Sequence, residues 1–586
     1  MACFACIPYY SSCTKQCLAL RDVKVISSMI RRRGGGALTM EECSITSDRN
    51  NNSHRDRHYN TTGMSDSTDE SLLLLREKEE DNEGEDNDNN VNVVLTVEEA
   101  LDRLGMGLYQ YGIGLTAGLC ITCDAIEILL LSFLSIVLRA EWGLTSAEAA
   151  SVFSSSFLGS LLGTLALGSL GDRYGRRPVF LVSAGMIAVF GVASALATSL
   201  LHLLLLRFGL GFGIGGSTLG FDSLAETLPS SHRGKHLTNL NFFWALGTVM
   251  TPLLAYWTLG EQPSSNNNHS SSASTSWRTF VGVCAIPCWI AWILGFCLIP
   301  ESPRWLTANG RTEEALRVLR RAAKTNGHNP DTMFPPNATK LISTTTRTEI
   351  AKERKTSKQM VELFQPNRIR TTLKLMGAGF GEGFLYFGTL LAVTLVFSTQ
   401  TKSGYSFDYG AIFTSCSAEI VGLTIVLIGV DRWGRIRTQT TAWVVGGICT
   451  SLMCLLHQYS YRESMEQSSV WLLVSLVVLS FGARALVLTG AATLWISVTE
   501  ILPTQIRSSG HSLTYASGRI GGFVCPYIIN NSTPLARIAA VVATVAILNT
   551  CCVAQLPETL GKAMGSDQQQ QKNPRDETKC SSDPIV

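Results

Sequence analysis

The chemistry in this sequence rests with ionisable side chains set inside long apolar runs. Asp124 and Glu127 stand three apart in the run 112–138. Glu382 lies in the run 372–398 and Glu419 in 408–430. Arg207, Arg484 and Arg519 lie in 201–222, 470–493 and 508–530. A charge at the centre of a bilayer-length apolar segment costs ~2.5–3.5 kcal/mol on insertion scales, so each is a functional candidate by default. A carboxylate there can carry a proton, and an arginine can bind an anion or neutralise a carboxylate on another helix. Three-residue spacing puts Asp124 and Glu127 on one helix face. They are the first candidates for binding protons or substrate, with Glu382 and Glu419 second. Arg519 is the leading anion-binding candidate. The structural alternative is ion pairing with arginines such as Arg207, which also lies near enough to one end of its segment to snorkel.

The elements that hold these residues are apolar segments near the ~20 residues that span a bilayer. Twelve are expected, at 112–138, 149–170, 179–199, 201–222, 238–259, 279–299, 372–398, 408–430, 438–457, 470–493, 508–530 and 535–555. The 586 residues are 46% hydrophobic and 16% charged, against roughly 25% charged in soluble chains, and the deficit falls in 110–555. A net charge of +2 gives no basic field for nucleic acid. The 17 cysteines are scattered, several within apolar runs, which reads as buried thiols rather than a disulfide framework.

The short loops set the expected orientation. Arg173, Arg176, Arg177, Arg233, Lys235, Arg432, Arg435, Arg437 and Arg507 make nine basic residues on one side, against five on the other. The stretch 300–371 adds 14 Lys and Arg to the first side and is expected to be partly helical, from Thr312 to Lys324. Both termini are therefore expected in the cytoplasm. Asn268-His269-Ser270 then falls on the outer side as a glycan candidate, and Asn531-Ser532-Thr533 lies there close to the membrane.

Residues 1–95 are expected to form a disordered cytoplasmic tail, because Asn, Asp, Glu and Ser dominate from 47 to 92. Within it, Cys3, Cys6, Cys13 and Cys17 read as incidental or lipidated thiols, with zinc the weaker alternative. Residues 1–40 lack a clean apolar signal-peptide core, and the acid-poor stretch 1–36 with its Arg31-Arg32-Arg33 leaves a plastid transit peptide as a minor alternative. Asp69-Glu70-Ser71-Leu72-Leu73-Leu74 resembles an acidic dileucine sorting signal. The remaining organisation expected is a six-helix bundle at 96–299, a central loop at 300–371, a second bundle at 372–557 and a disordered tail at 558–586.

The two bundles repeat their punctuation. Gly168-Ser169-Leu170-Gly171-Asp172-Arg173-Tyr174-Gly175-Arg176-Arg177 lies between segments two and three, and Asp431-Arg432-Trp433-Gly434-Arg435 between eight and nine. Leu427 stands where the second copy would have the first glycine. Glu226, Pro229 and Arg233 follow segment four, and Glu500, Pro503 and Arg507 follow segment ten at the same spacing. Pro300-Glu301-Ser302-Pro303-Arg304 follows segment six, and Pro557-Glu558-Thr559 follows segment twelve.

Residues 168–177 resemble the G-x-L-x-D-R-x-G-R-R loop of the major facilitator superfamily. That resemblance implies an all-α membrane protein of twelve transmembrane helices in two pseudo-symmetric bundles that rock about a central cavity. Arg207 with Gly211 and Gly213 resembles the superfamily's R-x-x-x-G-x-G pattern in helix four. The overlapping G-x-G-x-x-G at 211–216 is no dinucleotide loop, since an apolar helix rather than a strand precedes it. Thr96-Val97-Glu98-Glu99-Ala100 through Gly107, Asp124-Ala125-Ile126-Glu127 and Ser517 to Pro526 are similar to the synaptic-vesicle-2-related and plant nicotinate-type transporters, over roughly 95–562. Arg176, Glu226, Arg233 and Glu301 in the first half, with Arg435, Glu500, Arg507 and Glu558 in the second, are expected to form inter-helix ion pairs that hold one conformation, and the resemblance implies that such clusters break as the inner gate opens. Gly168, Asp172, Arg173, Gly175, Arg177, Arg304 and Asp431 belong to the same motifs.

The function expected is secondary transport of a small organic ion, an aromatic or other monocarboxylate such as nicotinate, with protons, by a monomer in the plasma membrane or an endosomal, vacuolar or vesicle membrane. Alternatives are an organic-cation or sugar porter of the same fold, or a non-transporting membrane-trafficking protein. No phosphate-binding loop, metal cluster or nucleophile triad occurs, so neither an enzyme nor a cofactor is expected.

Overall fold

Helices of bilayer length carry most of the described chain. The computed structural model describes residues 93–229, 232–260, 271–335, 339–342, 361–401, 404–462 and 470–561. The expectations for the N-terminal tail with its cysteines and dileucine stretch, for Asn268 and for the tail beyond 561 lie outside them.

A short strand β1 (Val93–Thr96) leads into α1 (Val97–Leu104), whose first turn is closed by a capping box between Thr96 and Glu99. The first half follows as α2 (Leu108–Trp142), α3 (Ser146–Tyr174), α4 (Arg176–Ala195), α5 (Leu200–Ile214), α6 (Thr218–Ala225), α7 (Arg233–Asn239), α8 (Asn241–Leu259), α9 (Ser271–Cys284) and α10 (Ile286–Leu298). Between the halves lie α11 (Pro303–Ala308), α12 (Thr312–Thr325), α13 (Pro330–Met333) and β2 (Thr339–Ile342). The second half is α14 (Ile369–Val396), β3 (Ser398–Thr401), β4 (Gly404–Phe407), α15 (Tyr409–Trp433), α16 (Arg435–Arg462), α17 (Val470–Ile501), α18 (Thr504–Ile528) and α19 (Leu535–Ala554). This is the all-α, two-bundle membrane architecture expected, with α5 and α6 making one span and α9 and α10 another. The only strands described are two short pairs, β1 parallel to β2 and the hairpin β3–β4.

Among the described residues, 11 helices are long and apolar enough to cross a membrane. The twelfth expected segment, 508–530, is the helix α18 but is too polar to count. It carries Arg507, Ser509, His511, Ser512 and Arg519, and it packs between α3 of one half and α14 of the other. Many large apolar side chains along the spans are exposed, among them Leu205, Ile293 and Val478, as a lipid-facing surface requires. Aromatic residues mark both ends of the spans: Tyr174 and Trp433 at the end bearing the arginine loops, Trp257 and Trp471 at the other. The first is called the loop end below.

The halves are sealed together at the end opposite the loops. Phe133 of α2 meets Phe407 edge-on at 5.0 Å, and Phe157 of α3 meets Phe387 of α14 at 4.6 Å. Hydroxyls add Ser132 to Thr394 at 3.0 Å and Ser154 Oγ to the Phe523 carbonyl at 2.7 Å. Arg139 donates to Ser532 at 3.2 Å, and Ser146 also bonds Ser532. At the loop end a separate apolar cluster binds α1, the start of α2 and α12 together through Leu101, Leu104, Ile113 and Leu319.

Candidate functional site

Close helix approach sets the centre of the molecule. α14 and α18 touch backbone to backbone: a Cβ on Gly383 would lie 2.0 Å from the Gly518 carbonyl, and one on Gly521 2.3 Å from that of Phe380. No larger residue fits there. This contact brings Glu382 and Arg519 side by side, with a Cβ built on Gly518 only 2.9 Å from Glu382 Oε2.

Arg519 is almost fully buried and reaches across to the other half, where its Nη2 lies 3.4 Å from Asp124 Oδ2. It also donates to the Tyr515 hydroxyl, and its guanidinium lies over the Tyr515 and Phe157 rings at 4.6 and 5.6 Å. Tyr515 continues an aromatic cluster: Trp495 stands 5.2 Å from it and 4.8 Å from His511. Trp495, His511, Tyr515 and Glu382 are partly exposed, while Asp124 and Arg519 are not. Glu382 makes no ion pair among the described residues.

Asp124 and Glu127 part company despite their spacing. Glu127 turns into the first bundle, where its Oε2 accepts from Arg207 Nη1 at 2.6 Å, with both side chains out of solvent. Arg207 therefore does not snorkel: it is fully buried. A charge in that position without its partner would be strongly unfavourable, which makes this pair a brace of the bundle. The tight fit of α5 on α3 holds it there, since a Cβ on Gly211 would strike the Ser156 carbonyl at 2.0 Å.

Glu419 has the fullest set of partners. Arg484 lies 2.7 Å from its Oε1, which also accepts from the Tyr386 hydroxyl at 2.7 Å. Its Oε2 accepts from Thr248 at 2.8 Å, and Trp244 donates to the Tyr386 oxygen at 2.6 Å. Thr248 and Trp244 belong to the first half, so this network also bridges the halves. Sequence reasoning missed Tyr386, Trp244, Thr248, Trp495 and His511. An aromatic or hydroxyl residue in an apolar helix carries no signal of its own, and only the neighbouring carboxylates pointed to the region.

The motif residues form two matching clusters at the loop end. Arg176 pairs with Asp172 at 2.7 Å and Glu226 at 3.2 Å. Arg435 pairs with Asp431 at 3.3 Å and Glu500 at 2.9 Å. Glu301 and Glu558, expected as ion-pair partners, instead accept backbone N–H groups. Glu301 takes those of Arg176 at 2.8 Å, Arg177 at 3.4 Å and Ser302 at 3.1 Å. Glu558 takes those of Arg435 at 2.9 Å, Ile436 at 3.0 Å and Thr559 at 3.0 Å. Burial raises the Glu558 carboxyl, but these backbone donors outweigh it and hold the group below its ordinary range. Each carboxylate sits over a glycine with positive φ, Gly175 at 106° and Gly434 at 88°.

The other motif residues are more loosely held. Arg233 and Arg507 donate to the carbonyls of Leu228 and Leu502 at 3.4 and 3.3 Å. Arg304 pairs with Glu98 of α1 at 3.3 Å, Arg177 donates to the Phe296 carbonyl at 3.2 Å, and Arg173 lies over the Tyr174 ring. Gly168 faces open space, whereas Gly171 abuts Leu219.

Residues 99–566 match the family described as Sugar (and other) transporter. "Putative transporter svop-1" of Caenorhabditis elegans is 30% identical over 80% of this chain and 86% of its own length. "Synaptic vesicle 2-related protein" of Rattus norvegicus is 28% identical over 80% of this chain and 82% of its own. "Organic cation/carnitine transporter 7" of Arabidopsis thaliana is 27% identical over 75% and 88%. Among solved structures, the partially occluded inward-open xylose transporter XylE from E. coli superposes with a TM-score of 0.59 at 18% identity, over 78% of this chain and 99% of that one.

Proposed function

Because the chain belongs to the Sugar (and other) transporter family, and is a multi-pass membrane transporter rather than an enzyme, we propose that it carries a small organic ion bearing a cationic group by alternating access. The observation that supports this reading is a charge imbalance at the centre. Four carboxylates, Asp124, Glu127, Glu382 and Glu419, face three arginines, Arg207, Arg484 and Arg519. Each arginine is taken by one carboxylate, and Glu382 is left over. A positive charge beside Glu382 balances the site. The partly exposed rings of Trp495, Tyr515 and His511 offer π-faces to an ammonium group or a flat ring. The name of the Arabidopsis relative agrees with that chemistry.

A proton on Glu382 would balance the site equally well, and this carries a second reading. An organic monocarboxylate such as nicotinate would then displace Asp124 from Arg519 and travel with the proton. Arg519 favours this version, since it is held to Asp124 by a single 3.4 Å contact. In both versions the loop end faces the cytoplasm, as do both termini. The membrane is that of a vesicle or the plasma membrane, and the gate clusters at 172–176 and 431–435 break and reform during the cycle.

Initial uptake into proteoliposomes, measured across organic cations, zwitterions and monocarboxylates at several outer pH values, tests both. Cation uptake that Glu382→Gln abolishes supports the first reading. Monocarboxylate uptake that accelerates at acidic outer pH and loses that dependence in Glu382→Gln supports the second. No saturable uptake of any of these ions by wild type defeats both and favours a trafficking role.

A further inference from the structure

A cavity of about 390 Å³ lies at the loop end, away from the central charges. It opens between the first turn of α2, the last turn of α10 and the face of α12. Three guanidinium groups line it, those of Arg177, Arg317 and Arg321. Arg317 and Arg321 are exposed and form no ion pair among the described residues, and Arg177 uses one donor on the Phe296 carbonyl. The two carboxylates in the wall are already engaged. Glu314 is held by Arg311 at 2.6 Å, and Glu301 by backbone N–H groups. The cavity therefore sets three arginines against two carboxylates whose closest contacts are made elsewhere. The Tyr109 side chain also lines the cavity, while its hydroxyl is buried out of solvent and has no hydrogen-bond partner among the described residues.

The rim indicates where that acceptor comes from. Leu108 is 74% exposed, Phe296 51% and Leu298 38%. These are apolar side chains at the ends of two membrane spans, level with the aromatic Tyr174. The site thus joins a cationic interior to an apolar outer lip at the depth of lipid headgroups.

We propose that this cavity binds the phosphate of an anionic membrane phospholipid, whose acyl chains lie along Leu108, Phe296 and Leu298. The phosphate oxygens accept from Arg177, Arg317 and Arg321. A bound lipid would tie α12 to α2 and α10 and so fix the linker against the first bundle. The site is separate from the transport reading and stands or falls without it.

The test is lipid retention by the full-length protein. It is reconstituted in bilayers of phosphatidylcholine with and without a phosphatidylinositol phosphate, released, and weighed intact by native mass spectrometry. Wild type should retain the phosphoinositide over phosphatidylcholine, and Arg317→Gln with Arg321→Gln should lower retention about thirtyfold. Lys324→Gln removes one charge from the same helix outside the cavity and should leave retention unchanged. Circular dichroism and elution volume establish that the variants are folded, as expected for exposed positions. Equal retention in wild type and the double variant, or an equal loss in Lys324→Gln, overturns the proposal. So does inorganic phosphate binding at these arginines while no lipid is retained, since the source would then be soluble.

Discussion

Arg519 and Asp124 meet from opposite halves of the molecule at 3.4 Å, whereas Arg207 and Glu127 meet at 2.6 Å inside one half. The two pairs have the same chemistry and burial, but motion of the halves can open only the first. Breaking one partner of a buried pair costs about 3–5 kcal/mol. For Glu127→Gln that loss falls on the bundle, and the expected result is a lower melting temperature and poor recovery from membranes. For Asp124→Asn it falls on the contact between halves. Uptake should drop while the melting temperature stays closer to that of wild type. Thermal unfolding and uptake measured on both variants check this, and an equal loss of stability would contradict it.

Glu419 joins Arg484 and Tyr386 of its own half to Thr248 of the other. Tyr386→Phe removes one hydroxyl that both donates to Glu419 and accepts from Trp244. A loss of about 1–3 kcal/mol is expected, because it leaves buried polar groups unpaired. Thr248→Ala combined with Tyr386→Phe should cost less than the sum of the single changes, since both act on one carboxylate. A double-mutant cycle on thermal stability measures that coupling, and strict additivity would show the network to be two independent contacts.

Gly175→Ala and Gly434→Ala should each impair the loop-end clusters. A Cβ at these positions would lie 2.3 Å from Glu301 Oε2 and 2.6 Å from Glu558 Oε2, and the backbone is left-handed at both. Strain of this kind costs about 1–3 kcal/mol. Gly168→Ala serves as the comparison, because its Cβ would meet nothing within 4 Å. Uptake and melting temperature of the three variants should separate Gly168→Ala from the other two.

Glu558 should make its cluster insensitive to physiological pH. Its folded pKa lies below the ordinary value of 4.5, so its contribution is complete above that value and disappears as pH falls through the lower folded one. Stability measured from neutral pH down through that window should fall more steeply in wild type than in Glu558→Gln. Parallel curves would mean that the backbone donors do not select the ionised carboxylate.

Much of this was readable from residue types. Eleven of the twelve segments were legible because each is a long apolar run, whereas 508–530 forms α18 although it is too polar to count among them, and the duplication was legible because Glu226, Pro229 and Arg233 recur as Glu500, Pro503 and Arg507. What the spacing could not give was direction. Asp124 and Glu127 share a helix face by count, yet 300° of turn over three residues leaves enough difference for one to meet α18 and the other α5. Glu301 and Glu558 looked like partners for arginine side chains, but the positive φ of Gly175 and Gly434 exposes backbone N–H groups that take them first. Arg207 near the end of an apolar run was open to snorkelling until the fit of Gly211 on Ser156 fixed its helix. The pairing of β1 with β2 joins segments separated by over two hundred residues, and no local pattern announces it.

The seal opposite the loops sets how hard the molecule is to turn over. Its polar part is made of serine and threonine hydroxyls on neutral acceptors, apart from Arg139 to Ser532. Such bonds contribute only about 0.5–1.5 kcal/mol each. A ligand needs about 5.5 kcal/mol of preference for one state to drive a two-state population from 1:99 to 99:1. The three hydroxyl bonds together amount to about 1.5–4.5 kcal/mol, less than that preference, so the hydroxyl part of the seal is within reach of a ligand that prefers the other state.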